Sequence, residues 1–446
     1  MTEPIEGSGT GMKLHTKILL GLVVGAVLGI AANTWFGGAE AVRIINTYIA
    51  GPVGQIFLRL LFMIVVPLVF ASIALGVAGL GDLRRVGRVG TKAIAYFLAS
   101  TALAATLGLV VVSIVRPGER ISPETRTQLM ATFATDASTR VEAAATSDFG
   151  VQTIVNIVPR NPFKSAVDLD MLAIIFFGLI FGAALTQIAR EKALPMLGWL
   201  EGLESVVIKI VNMAMRLAPY GVACLIFGVT SRFGFDLLKL LGWYVVAVIG
   251  ALALHVLINV SAILRLLVGI SPWKFFLRVR SALVTAFSTS SSSATLPTAL
   301  AAAEQNLGIP PQIAGFVLPL GSTMCMNGTA LFEGMTVITL AQAFGVSLNL
   351  GQMVAVMVMS VLTAVGAAGV PGGSIPLLVG ILAMFGVPAE GIAIILGVDR
   401  ILDMSRTTVN VWGDLTATAF VAKSEGLWDA SKVPAIEGTG RTSATA

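Results

Sequence analysis

The chain has 446 residues, 56% of them hydrophobic and only 12% charged, with a formal net charge of +5. So little charge over this length excludes a soluble domain and identifies a polytopic helical membrane protein. The basic residues lie in short segments beside apolar runs, where they report membrane orientation and not a nucleic-acid surface.

A first span is expected over about Thr16–Trp35, after a short cytoplasmic N-terminus at residues 1–15. Its apolar run follows Lys13 and Lys17 but lacks a small-residue cleavage site, so it reads as a span and not as a leader. A second span covers about Val53–Leu80 and a third about Ala93–Val115, completing three spans within 16–115. Arg84, Arg85, Arg88 and Lys92 between them fall on the side of Lys13 and Lys17, which the bias of positive residues makes cytoplasmic. The polar stretch 116–165 then lies outside as a long loop, closed by the run NIVPRNPF. Three more spans fill 166–270, at about Leu172–Ala189, Val206–Thr230 and Leu237–Leu267. His255 in the last of these reads as a hydrogen-bonded packing residue. Cys224 and Cys325 both sit in apolar segments, which supports neither a disulfide framework nor a metal cluster.

From residue 271 to 429 the pattern changes. AFSTSSSSATLPTAL and AVGAAGVPGGSIPLL are apolar enough to enter a membrane, yet hydroxyls, glycines and prolines interrupt them. Non-helical backbone is tolerated at membrane depth only where protein or a watery cavity surrounds it. Both therefore read as re-entrant hairpins whose tips meet near the midplane. Such a pair is the sequence pointer to a transporter's binding site. After the second comes ILGVDRILDMSRTTVNVWGDLTATAFVA. Asp399, Asp403, Arg406, Asn410 and Asp414 are spaced 4, 3, 4 and 4 apart, which aligns them on one helical stripe rising about 22 Å. Ionisable groups at that depth survive only facing an interior with partners, so a functional site is the reading. An ion pair that merely pins helix packing needs two of these residues, not five. Residues 430–446 read as a solvated cytoplasmic tail.

SSSSATLP, MNGTALFEG, GVPGG and DRILDMSRTTVNVWGD, with NIVPRNPF, closely resemble the dicarboxylate and acidic amino acid:cation symporters, the family of bacterial glutamate transporters and animal excitatory amino acid transporters. The resemblance covers nearly the whole chain. It implies an all-α integral membrane fold of eight spans plus two re-entrant hairpins, with inverted repeats and with scaffold and transport domains. It also implies a homotrimer in the cell membrane, contacting lipid and no nucleic acid, that works as an elevator. No organic cofactor is expected; sodium ions, protons or both travel with the cargo. By the resemblance Asp403 holds the cargo's ammonium and Arg406 its side-chain carboxylate, roles that suit a carboxylate and a bidentate guanidinium. Met326, Thr329, Thr407 and Asn410 line the site, Ser290 and Ser292 supply one tip, and Val370, Pro371 and Ser374 the other, the outer gate.

One cation site of the family resembles Gly321, Cys325, Asn410 and Asp414, and a second uses carbonyls including that of Thr323. A third corresponds to Ser100 and Thr101, near Tyr96 and Phe97, with side chains at 325 and 327. Sodium-driven members commonly carry Asn and Asp there; Cys325 and Asn327 remove a formal charge and offer a thiol to a hard cation, so this site is expected to be weak or lost. Glu333 matches the proton-carrying glutamate of animal members; the alternative is a glutamate bonded to a neighbouring span. An arginine that relatives place at the positions of Ser290 or Met404 is missing. Arg400 is a candidate substitute, although it projects about 100° from Asp399 on a helix. The leading reading is a symporter for aspartate or glutamate. The alternatives are a C4-dicarboxylate or neutral amino acid carrier of the same fold, an ion channel and, last, an intramembrane aspartyl enzyme.

Overall fold

The structure, a computed structural model, describes residues 12, 14–36, 39–132, 158–167, 171–365, 367, 369, 371–388 and 391–433. Among these, every regular element is a helix. Helix α1 (Leu14–Phe36) lies along α9 (Arg190–Phe233), a helix of 44 residues. Gly21, Gly25 and Gly29 make that contact: a Cβ at any of them would strike α9 at Pro219, Ala223 or Thr230. Small residues at this spacing let two membrane helices approach backbone to backbone.

The expected second span is two helices and starts earlier. Helix α2 (Glu40–Ile45) runs through a π-turn at Asn46–Ala50 into α3 (Gly51–Phe62), and α4 (Val65–Val86) follows after a turn at Met63 and Ile64. Pro67 sits in the first turn of α4, where its missing N–H costs nothing but where an uninterrupted helix would lose a bond. Helix α5 (Arg88–Val115) comes next, then the short α6 (Pro123–Thr132) and α7 (Pro162–Val167), then α8 (Met171–Leu185). Residues 133–157 of the expected external loop lie outside the described residues. Helix α10 (Asp236–Leu254) continues through π-turns at His255–Val260 and Ile263–Val268. His255 is fully buried, with its Nδ1 3.0 Å from the amide nitrogen of Asn259, as a packing histidine would be.

Three broken helical pairs and one long helix form the rest. They are α11 (Pro272–Thr289) with α12 (Ser292–Ala301), α13 (Pro311–Met324) with α14 (Asn327–Ala343), and α15 (Leu350–Val365) with α16 (Ile375–Met384), followed by α17 (Ile392–Ser424). Helix α14 is buried along almost its whole length. Phe332 and Ile338 of α14 pack with Leu378 and Leu382 of α16 in one apolar cluster, while Val279 of α11, Val317 of α13 and Leu415 of α17 share a second. The outer helices instead expose apolar residues such as Val27, Leu217, Val246 and Leu257, a surface suited to lipid. Among the described residues, five helical stretches are long and apolar enough to cross a membrane.

Beyond α17 the chain folds back. Glu425 binds Arg88 (2.8 Å) and Lys92 (2.6 Å), the Trp428 indole donates to the Leu307 carbonyl (2.7 Å), and Lys274 donates to that of Val433 (2.9 Å). Ala430 and Val433 are buried, so packed structure runs four residues into the segment read as a solvated tail, and 434–446 lie outside the described residues. Hydrogen bonds from Arg88 and then Lys92 hold the Glu425 carboxyl below its ordinary pKa.

Candidate functional site

Helix α17 carries the polar stripe with its face turned inward: Asp399, Asp403, Arg406, Asn410 and Asp414 are each 5% exposed or less. Asp403 Oδ1 accepts from Arg406 Nε (3.0 Å) and lies 2.9 Å from its terminal nitrogen Nη2. Asp399 Oδ1 lies 3.3 Å from the other terminal nitrogen, and the guanidinium rests over the Phe332 ring, 4.2 Å from its centroid. Arg400, which the helical wheel aims away from Asp399, reaches the same centre through its long side chain. Its two terminal nitrogens donate to Asp403 Oδ2 (3.4 Å) and Ser290 Oγ (2.9 Å). Residue spacing accounts for the stripe but does not reveal Phe332 or the reach of Arg400; for Arg400 the signals in the sequence are a charge at membrane depth and the arginine missing at Ser290 and Met404.

The two interrupted runs bring their turns to this helix. Ser290 sits in the left-handed region (φ 52°), which ends α11, and Ser291 caps α12 by accepting from the Ala294 amide (3.1 Å). The Ser291 hydroxyl donates to the Gly369 carbonyl (2.6 Å), and the Ser293 amide donates to the same oxygen (3.2 Å). On the second turn Gly372 takes φ +74°, a conformation open to glycine, and its amide donates to Asp403 Oδ2 (3.1 Å). Both tips are therefore tied to one another, and the second is tied to α17.

Between α13 and α14 the backbone is non-helical at Cys325 and Met326, which frees the first amides of α14. Asn410 fills that gap: its Oδ1 accepts from the Gly328 (2.7 Å) and Thr329 (3.3 Å) amides, and its Nδ2 donates to Thr329 Oγ1 (3.0 Å) and Met326 Sδ (3.1 Å). Gly328 permits the approach, since a Cβ there would lie 2.5 Å from the Arg406 carbonyl oxygen. A cavity of about 20 Å³ remains, lined by Ser290 and Ser292, by Met326 and Thr329, by Asp403, Arg406, Thr407 and Asn410, and by Ser374. Ala367, Gly369 and Gly373, which belong to the second interrupted run but are not among the expected site residues, complete it. Pro371 does not line it, and Val370 lies outside the described residues. The space holds about one water and no amino acid.

The residues proposed for cations fall into two kinds. Asp414 is 3% exposed, its Oδ1 has no hydrogen-bond partner among the described residues, and it faces Gly321, where a Cβ would lie 2.8 Å away. A bare carboxylate oxygen beside backbone suits a hard cation. Asn327 does not: its Oδ1 accepts from Thr101 (2.9 Å), its Nδ2 donates to Ser100 (2.8 Å), and Cys325 Sγ lies 3.8 Å from the same Oδ1. This is a neutral network with its main groups paired. The Thr323 hydroxyl donates to the Leu320 carbonyl (3.0 Å), and its own carbonyl is not part of that bond. Glu333, fully buried, has Oε2 2.6 Å from the Thr363 hydroxyl, which also lies 2.7 Å from the Met359 carbonyl.

A family model described as the sodium:dicarboxylate symporter family matches residues 14–424. The chain is 36% identical over 431 residues to the proton/sodium-glutamate symport protein of Bacillus subtilis, covering 96% of each. It is 34% identical over 425 residues to the proton/glutamate-aspartate symporter of Escherichia coli, covering 95% of each. The C4-dicarboxylate transport protein of Bacillus subtilis is 31% identical over 427 residues, 95% of this chain and 97% of that one. With the matched region running from α1 to the last residue of α17, this multi-pass cell-membrane chain belongs to the sodium:dicarboxylate symporter family, which consists of secondary transporters and not enzymes.

Proposed function

We propose that the protein takes up aspartate or glutamate by symport with sodium ions, protons or both. The observation that carries this reading is the Asp403–Arg406 pair, buried where the two tips meet. An acidic amino acid is the cargo that answers both charges: its ammonium replaces a cation at Asp403, and its side-chain carboxylate takes the Arg406 fork in two parallel bonds. A zwitterion without that carboxylate would leave Arg406 short of a partner, and a plain dicarboxylate would offer Asp403 no cation. The α-carboxylate then falls to the first tip, at Ser290 and Ser292, where the amides opening α12 favour an anion. Met326, Thr329, Thr407 and Asn410 shape the walls, and the second tip, Val370, Pro371 and Ser374, opens as the gate. The names of the relatives in Bacillus subtilis and Escherichia coli agree with this cargo.

For the cations, we assign Asp414 with the backbone of Gly321, Cys325 and Asn410 to one sodium ion, and the carbonyl of Thr323 to a second. Ser100, Thr101 and Asn327 do not make a third, because the amide already occupies both hydroxyls. Glu333 is the proton carrier. The Thr363 hydroxyl has a single proton and three acceptors within reach, at Glu333, Met359 and Ser360, and it can donate to a backbone carbonyl while still bonding Glu333 only when Glu333 brings a proton of its own. In the membrane, the reading is of eight spans and two re-entrant hairpins in a homotrimer. Residues 271–429 form most of the moving domain, and the earlier spans contribute the scaffold. The test is uptake of labelled aspartate or glutamate into proteoliposomes. It collapses when the sodium and proton gradients are dissipated; uptake that persists without them sinks the symport reading. The second reading, a C4-dicarboxylate carrier, has the 31% identical relative in its favour. Competition by succinate as strong as that by aspartate would select it.

A further inference from the structure

Arg400 is 8% exposed and spans from the first tip to α17, yet it does not line the cavity. It therefore lies behind the cargo position. One contact, to Asp403, lies within α17 at the carboxylate the cargo ammonium needs, and the other ties α17 to the first tip at Ser290. Asp399 and Asp403 carry two negative charges and Arg400 and Arg406 two positive ones, so the buried group as it stands sums to zero. With the tips joined at the Gly369 carbonyl and about 20 Å³ left between them, this is a shut site that satisfies its own charges. Without Arg400, the same closure would bury one uncompensated carboxylate, which is costly.

We propose that Arg400 stands in for the cargo ammonium, so that the transporter can shut and reorient with nothing aboard; the residue thus governs the return half of the cycle. The inference rests on the functional reading above. Of these contacts the longest is 3.4 Å, to Asp403 Oδ2, against 2.9–3.1 Å for the other bonds to that carboxylate and 2.9 Å to Ser290. An arriving ammonium takes over at Oδ2, and Arg400 keeps its hold on Ser290 at the tip. A loaded carrier therefore meets Asp403 with the cargo's ammonium and offsets the cargo's own net negative charge with the co-transported cations, and only the unloaded one depends on Arg400.

The experiment compares two modes of transport in proteoliposomes holding the full chain. Net uptake of labelled aspartate requires the unloaded return; exchange of labelled against internal aspartate does not. In Arg400→Met and Arg400→Gln, net uptake falls about tenfold or more, as an unpaired buried charge requires. Exchange stays within about threefold of the parent. Arg400→Lys, which keeps the charge, restores most of the net uptake. Sustained exchange also shows that the variants are folded. If uptake and exchange fall together, or if Arg400→Gln leaves net uptake intact, the proposal is wrong. A parent protein that neither takes up nor exchanges acidic amino acids instead indicts the functional reading itself.

Discussion

Around Asp403, four side chains with formal charges meet at distances from 2.9 to 3.4 Å, and several of their polar atoms lack an ideal partner. Around Asn327, at the start of α14, an amide joins two hydroxyls and a thiol with no charge among them. Both groups are buried near α17, and both are polar. The charged one is held together by long-reaching arginines that can exchange partners; the neutral one is held by short bonds from an amide to fixed hydroxyls. A carrier needs the first kind where cargo must come and go. The second kind ties α5 to α14 and gives a cation little to bind.

The comparison breaks first at Arg406. Arg406→Cys should reduce acidic amino acid uptake about a hundredfold or more, since it strips the carboxylate partner and leaves Asp399 and Asp403 buried with one arginine; retained glutamate uptake would place its recognition elsewhere. The neutral cluster can be sharpened in the other direction. Cys325→Asn with Asn327→Asp restores a carboxylate beside Ser100 and Thr101, and the sodium dependence of uptake should steepen by about one ion per cargo. An unchanged slope would mean that the parent already binds an ion there. Glu333→Gln should flatten the pH dependence of net uptake, because an amide cannot take a proton from solvent on one side and release it on the other. A pH profile identical to the parent's removes Glu333 from coupling.

Two further changes test the frame around the clusters. Gly328→Ala forces a Cβ to within 2.5 Å of the Arg406 carbonyl, and overpacking of that kind costs about 1–3 kcal/mol, readable as a lower melting temperature. Glu425→Gln should change melting by no more than about 2 °C at neutral pH, because its partner Arg88 is largely exposed and the amide can still accept from Arg88 and Lys92. The sign is set by its lowered pKa. The carboxylate stabilises the fold above its unfolded value, and that contribution disappears as the pH falls through the folded one, so variant and parent converge in acid.

Much of the site was legible because charge is costly in an apolar segment, and five polar residues at helical spacing there share one face that must meet partners or cargo. The tips were legible for a similar reason, since Ser290 and Ser291 and Gly372 interrupt helices in ways that need a partner at membrane depth. Arg400 was legible only as a candidate substitute for a missing arginine, because helical angle describes where a side chain starts and not where a long one ends. The turn between α3 and α4 was hidden by unbroken hydropathy, which is blind to Pro67. The packed strap at Trp428 to Val433 was hidden by polar composition, although the Trp428 indole and the buried Val433 hold it down. Spacing also cannot tell that Asn327 uses both ends of its amide on α5, only that a carboxylate is missing.

The most direct test is a map of the purified protein with aspartate bound. The account predicts cargo between the second tip and α17, its side-chain carboxylate on the Arg406 guanidinium, its ammonium on Asp403, and Arg400 withdrawn from Oδ2 while still on Ser290. Cargo held anywhere else, with Asp403 and Arg406 still closed on each other, would contradict it.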